Sequence, residues 1–178
     1  MKIAISADHR GADLRVHLTQ WLQEHDHDVV ELRPCTGPAS DYPDAAYAVA
    51  RRVADGKSDV GILICGSGIG MSMAANKVRG IRAALVHDEV GAEFSRRHND
   101  ANVLCLPADM LGQRIVDRIV GTWLTTEFDG GRHTRRVRKI GLIEQDLDPA
   151  QPGNLEVEVV VESHPQVAAL DGAGQANP

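Results

Sequence analysis

The chain has 178 residues, 43% of them hydrophobic and 25% charged, with 19 Lys and Arg against 25 Asp and Glu for a net charge of -6. That is the composition of one globular domain, long enough to bury a core without disulfides or a structural metal. It excludes the fibrous and disulfide-rich classes, and with no apolar run near the roughly 20 residues that cross a bilayer it excludes a membrane-spanning class.

Lys2–Ser6 reads as a strand rather than a signal peptide. Leu14, Leu18, Trp21 and Leu22 then recur at helical spacing, and Val29–Leu32 is a second strand. Pro34, Gly37, Pro38 and Pro43 mark a loop. Ala46, Val49, Ala50 and Val53 form the next helical stripe. Val60–Ile64 is a continuous apolar run, as expected of a strand buried on both faces. Met71–Lys77 reads as a helix, Arg82–Val86 as a fourth strand, Val90–Arg97 as a helix and Val103–Leu106 as a fifth strand. Ile115, Val116, Ile119, Val120, Trp123 and Leu124 mark a strongly amphipathic helix, and Arg132–Gln145 an extended last helix with a basic face. This alternation predicts an α/β fold, with a five-stranded parallel sheet covered by helices on both faces.

After Asp148 the character changes. All Lys and Arg lie in residues 1–139, and the rest of the chain holds seven acids and no Lys or Arg. Residues 148–178 read as an acidic tail, either disordered or with one half-buried strand in the alternating stretch from Leu155 to Val161. The near-neutral body argues against nucleic acid as the main partner. Cys35, Cys65 and Cys105 form no C-x-x-C pair, which suggests a reducing compartment and a cytoplasmic location.

Parallel sheets of this type place ligand sites at the carboxyl ends of their strands. The segments near strand ends are Asp8-His9-Arg10, Cys65-Gly66-Ser67-Gly68-Ile69-Gly70, His87-Asp88 and His98-Asn99-Asp100. The glycine loop is the densest. Alternating glycines let several N–H groups converge, and the helix start adds positive potential, so the loop can bind a phosphate or hold an oxyanion. Cys65 opens it, and a thiol in such surroundings can act as base or nucleophile. Cys105, within a strand, and Cys35, in the proline-rich loop, read as incidental.

A cysteine phosphatase would need Arg six residues after Cys65, where Met71 stands. A serine elbow would need Gly at the Cys65 position. The spacing G-x-G-x-G in the third βα unit departs from the dinucleotide fingerprint, although Asp88 leaves a nucleotide reading open. Arg132 and Arg136 are one helical turn apart, so two guanidinium groups on one face suit a phosphate dianion, or merely a solvated basic face. His9 and His98 are candidates for proton transfer near neutral pH.

Six segments in order carry a resemblance: Ala7-Asp8-His9, Asp41-Tyr42-Pro43, Ile64–Gly70, Ala74–Lys77, Arg97–Asn102 and Gly130–His133. Over residues 1–147 the chain resembles the ribose-5-phosphate isomerase B family, which includes galactose-6-phosphate isomerase subunits and allose-6-phosphate isomerase. The resemblance implies a three-layer α/β/α Rossmann-like fold and an aldose–ketose isomerase that needs no metal and no nucleotide cofactor. It implies that Cys65 is the base moving a proton between C1 and C2, that Ser67 assists, and that the amides of Gly66, Gly68 and Gly70 hold the enediolate. His98 matches the residue that opens the sugar ring, with Asp8 as support. Asn99 and Tyr42 match substrate contacts, and Arg132 and Arg136 match phosphate binders, with His9 on the same side.

In relatives the site is shared between two subunits, so a homodimer or a dimer of dimers is implied. A branch of the family has Gly at the Cys65 position and an acid at the Met71 position; Cys65 and Met71 put this chain in the cysteine type. The same chemistry on a galactose, allose or tetrulose phosphate, and a non-catalytic sugar-phosphate-binding module, are the alternative readings.

Overall fold

In the computed structural model, residues 1–32 and 41–156 are described. Five strands, β1 (Lys2–Ala7), β2 (Asp28–Glu31), β3 (Val60–Cys65), β4 (Ala83–Leu85) and β5 (Val103–Pro107), alternate with helices α1 (Ala12–Glu24), α2 (Tyr42–Ala54), α3 (Ile69–Ala75), α4 (Glu89–Asn99) and α5 (Gln113–Thr125). A last helix, α6 (Arg132–Ile143), is followed by a short 3-10 turn over Pro152–Glu156. All strand pairs are parallel and the order is β2-β1-β3-β5-β4, as the alternation requires.

Period-two alternation divides the core. Ile3, Ile5, Ile62, Ile64, Leu104 and Leu106 face α1, α4 and α5, while Ala4, Leu63, Cys65, Val103 and Cys105 face α2 and α3. β3 lies in the middle of the sheet and every residue of it is buried, which is why it reads as an unbroken apolar run. β1 leads outward to β2, whereas β3 leads the other way towards β4. The chain therefore diverges between β1 and β3, and their carboxyl ends border a crevice. α6 packs on α4, burying His133, Val137 and Leu142, and the Glu144 carboxylate just after it accepts the Gly80 N–H at 3.2 Å.

Several boundaries differ from expectation for local reasons. Tyr42 and Pro43 open α2 instead of lying in the preceding loop, since proline is well tolerated in a helix's first turn. α3 starts at Ile69, directly on the glycine loop, and ends at Ala75. α4 runs on to Asn99, so His98 and Asn99 sit in its last turn; Asp100 ends it in the left-handed conformation (φ 47°). Leu155 and Glu156 belong to the 3-10 turn, and the remainder of the alternating tail, like Cys35 and most of the proline-rich loop, lies outside the described residues. Among the described residues no helix is long and apolar enough to cross a membrane.

Candidate active site

Asp8 follows β1 and is buried. Its Oδ1 accepts the N–H groups of Arg10 at 2.9 Å and Gly11 at 3.1 Å, which turns the chain from the strand into α1. The Asp8 amide donates to the Ile64 carbonyl at 3.0 Å, tying this turn to the end of β3. His9 stands exposed on the same rim.

Cys65 is the last residue of β3 and only 5% exposed. The N–H of Gly68 donates to its Sγ at 3.1 Å. That bond needs glycine: Gly68 has φ 72°, and a Cβ there would run into the Leu85 side chain and lie 3.2 Å from the Leu106 carbonyl carbon. The Ser67 Oγ, half-buried, faces the Ile69 amide at 3.4 Å. Tyr42 lies against the far end of the loop, where a Cβ on Gly70 would sit 2.6 Å from its Cε2. The loop is thus lined by amides and a hydroxyl, capped by a ring, with a fixed sulfur at its base. Cys105, on the same side of the sheet, is fully buried, and burial pushes its thiol far above the ordinary range. It is a packing residue, as expected.

A second group gathers where α4 ends and α6 begins. The rings of Phe94 and His98 stack with centroids 4.8 Å apart, and His98 stacks on His133 at 4.3 Å with planes only 3° apart. Arg132 Nε donates to His133 Nε2 at 3.3 Å. Arg97 binds Asp129 at 3.0 Å and Glu93 at 2.7 Å, and this pairing holds the Asp129 carboxyl below its usual range. Burial first, then the positive surroundings of His98, Arg132 and Arg136, lower the pKa of His133. Asn99, Arg132 and Arg136 are exposed.

Within one chain the two groups stand apart. α4 begins beside the carboxyl end of β4 and runs back along the sheet, so His98, its tenth residue, is about 14 Å from the helix start at 1.5 Å per residue. Asn102, four residues on, accepts the Gly61 N–H through its carbonyl at the beginning of β3. His98 and Asn99 are therefore at the amino ends of the strands, and Cys65, Asp8 and His9 at the carboxyl ends. Asp8 does not meet His98 in a single chain, and His9 does not meet Arg132 and Arg136.

His98, Asp129 and His133 each bring one possible ligand atom within 4.8 Å of the others. They do not form a metal cage. Parallel stacked imidazoles direct their in-plane lone pairs side by side rather than to one point, Asp129 is already paired with Arg97, and Arg132 and Arg136 add positive charge.

Sequence reading assigned no role to His133, Asp129 or Phe94. Phe94 and His98 have the i, i+4 spacing of a helical pair, and His133 adjoins Arg132, so both signals were present. It also assigned none to the pair of Arg10 and Asp109, which are 99 residues apart and bonded at 2.7 Å beside the glycine loop. The strand-end rule points to both.

Comparison with known proteins shows the family. A family model described as Ribose/Galactose Isomerase matches residues 3–140. Ribose-5-phosphate isomerase B of Escherichia coli (strain K12) is 42% identical over 144 residues, 81% of this chain and 97% of that protein. D-erythrulose-4-phosphate isomerase of Pectobacterium atrosepticum is 43% identical over 145 residues, 81% of this chain and 95% of that protein. The structure of ribose-5-phosphate isomerase B from Clostridium thermocellum aligns with a TM-score of 0.80 and 45% identity over 82% of this chain and 99% of that one. The chain is a sugar-phosphate isomerase, and it belongs to the ribose/galactose isomerase family.

Proposed function

We propose that this enzyme interconverts ribose 5-phosphate and ribulose 5-phosphate, using Cys65 as the base and no metal or nucleotide cofactor. The Cys65 thiolate takes the proton from C2 of the open-chain aldose. The C–H electron pair forms the C1–C2 double bond of an enediolate, whose charge rests on oxygen. A proton passes from O2 to O1, which moves the charge to O2. As the C2=O double bond forms, the thiol returns a proton to C1, giving the ketose. The amides of Gly66, Gly68 and Gly70 and the Ser67 hydroxyl stabilise the oxyanion. His98 opens the furanose ring by moving a proton between ring oxygen and hydroxyl. Arg132 and Arg136, with His9, hold the phosphate, and Tyr42 and Asn99 contact the sugar, so the reacting carbons are kept in register with the sulfur.

The observation that carries this reading is the Gly68 N–H on Cys65 Sγ, at the foot of an amide-lined loop. The separation of Cys65 from His98 supports a homodimer, alone or paired into a tetramer, whose sites each take residues from two chains. The test is isomerisation of ribose 5-phosphate by the purified protein without added metal, with Cys65→Ser beside it. Turnover that the variant loses by a factor of about 100 or more, the scale of a lost general base, is expected. Equal turnover in the variant would overturn Cys65 as base. A tetrulose phosphate is the second reading, favoured by the activity named for the Pectobacterium relative, and a wild type active only on erythrulose 4-phosphate would replace the first reading by this one.

A further inference from the structure

Arg10 and Asp109 form a bridge over the start of the glycine loop. Arg10 follows β1 and Asp109 follows β5, the two strands that flank β3. The Ala108 amide donates to the Cys65 carbonyl at 2.8 Å and the Asp109 amide to the Gly66 carbonyl at 3.0 Å, so the Asp109 segment runs alongside the loop. Arg10 Nε and Nη2 both donate to one oxygen, Asp109 Oδ2, at 3.0 and 2.7 Å. That oxygen lies 2.5 Å from where a Cβ on Gly66 would be, and Arg10 Cγ lies 3.7 Å from the same point. The ion pair therefore rests directly on Gly66, next to Cys65.

Stability does not account for this placement. The two side chains are 56% and 41% exposed, and an exposed pair contributes only about 0–1 kcal/mol. Only Oδ2 is engaged by Arg10, so the pair offers the crevice an acceptor, Oδ1, beside the donors of a planar guanidinium. A fixed donor and a fixed acceptor side by side are complementary to two neighbouring hydroxyl groups, each of which both gives and takes a hydrogen bond.

We propose that Arg10 and Asp109 are specificity-determining residues that bind the sugar hydroxyls adjoining the reacting carbons, on the same chain as Cys65. This rests on the sugar-phosphate reading above. It gives the loop a means of choosing among sugar phosphates that is separate from phosphate binding.

The test measures binding by calorimetry, with three probes: erythronate 4-phosphate, which carries hydroxyls; the phosphate ester of 4-hydroxybutyrate, which lacks them; and inorganic phosphate. The wild type is expected to prefer the hydroxylated acid by about tenfold or more, a modest share of what buried hydroxyl recognition supplies. Arg10→Gln and Asp109→Asn should each cut that preference to about threefold or less, leaving the other two probes unchanged. Melting curves of both variants confirm that they fold.

A preference that survives in both variants, or one absent from the wild type, would overturn the proposal. So would an equal loss of inorganic phosphate binding in Arg10→Gln, which would make Arg10 a phosphate contact. A wild type that binds neither acid would overturn the sugar-phosphate reading and this inference with it. Retained discrimination in the variants of an otherwise active isomerase would overturn this inference alone.

Discussion

Cys65 and His98 lie at opposite ends of one sheet. Cys65 pairs with Pro107 where β3 and β5 finish, whereas His98 precedes β5, whose first residue Val103 pairs with Gly61 near the start of β3. Four residue-to-residue steps of strand lead from Gly61 to Cys65, about 13 Å at 3.3 Å each. The sulfur proposed to take a proton and the imidazole proposed to open the sugar ring are thus far apart within a single chain, and this separation is the ground on which we propose a site shared between two copies.

The thiols should differ sharply in reactivity. Cys105 is completely buried inside β5, and burial alone drives its thiol far above the ordinary range. Cys65 ends its strand at the mouth of the crevice. Iodoacetamide is expected to modify Cys65 and not Cys105 in the folded protein, with ribose 5-phosphate slowing the reaction, as read by peptide mass spectrometry. Labelling of Cys105 at the rate of Cys65 would contradict this.

Asp100 fixes the end of the helix that carries His98. It sits in the left-handed conformation between Arg82, at 3.0 Å, and Arg96, at 3.4 Å, with all three side chains 12% exposed or less. Arg96 in turn lies over the ring of Trp123, 5.3 Å from its centroid. Removing one partner of a buried ion pair leaves uncompensated charge, so Asp100→Ala should cost about 3–5 kcal/mol in denaturant unfolding. Asp100→Asn keeps a short polar side chain suited to the left-handed region and should cost less. Equal stability of the alanine variant would show that the two arginines do not depend on Asp100.

His133 should make the protein sensitive to acid. Burial and the neighbouring His98, Arg132 and Arg136 lower its pKa, against the opposing pull of Asp129. A histidine depressed in the folded state contributes its full stabilisation above its unfolded pKa of about 6.5, and that contribution is lost as the pH falls from there through the folded value. Melting temperature should therefore drop on acidification below about pH 6.5. His133→Phe preserves a ring against His98 but cannot be protonated, so its melting temperature should drop less. Equal drops in both proteins would contradict the assignment.

The parallel sheet was readable because periodicity marks it directly. The unbroken run Val60–Ile64 is the pattern of a strand buried on both faces, and the stripe from Ile115 to Leu124 that of a helix with one face on the core. The glycine loop was readable for the same reason, since its position after a buried strand assigns it to the carboxyl end. What stayed hidden depends on contacts between distant parts of the chain. The stacking of His98 on His133 and the bridge from Arg10 to Asp109 join residues 35 and 99 positions apart; each residue has a local signal, but no local pattern encodes the pairing. The helical ends at Tyr42 and Asn99 escaped because a proline reads equally as loop or first turn, and because Asp100 terminates α4 by a left-handed residue usually supplied by glycine.

The most direct measurement of the shared site mixes two inactive proteins. Cys65→Ser and His98→Gln, each without appreciable turnover of ribose 5-phosphate, are unfolded together and refolded at equal concentration. If each site takes Cys65 from one chain and His98 from the other, half the dimers are mixed and one of their two sites is intact. Activity should return to about a quarter of the wild type. If the mixture stays as inactive as its components, while wild type treated in the same way recovers, Cys65 and His98 do not act together across two chains.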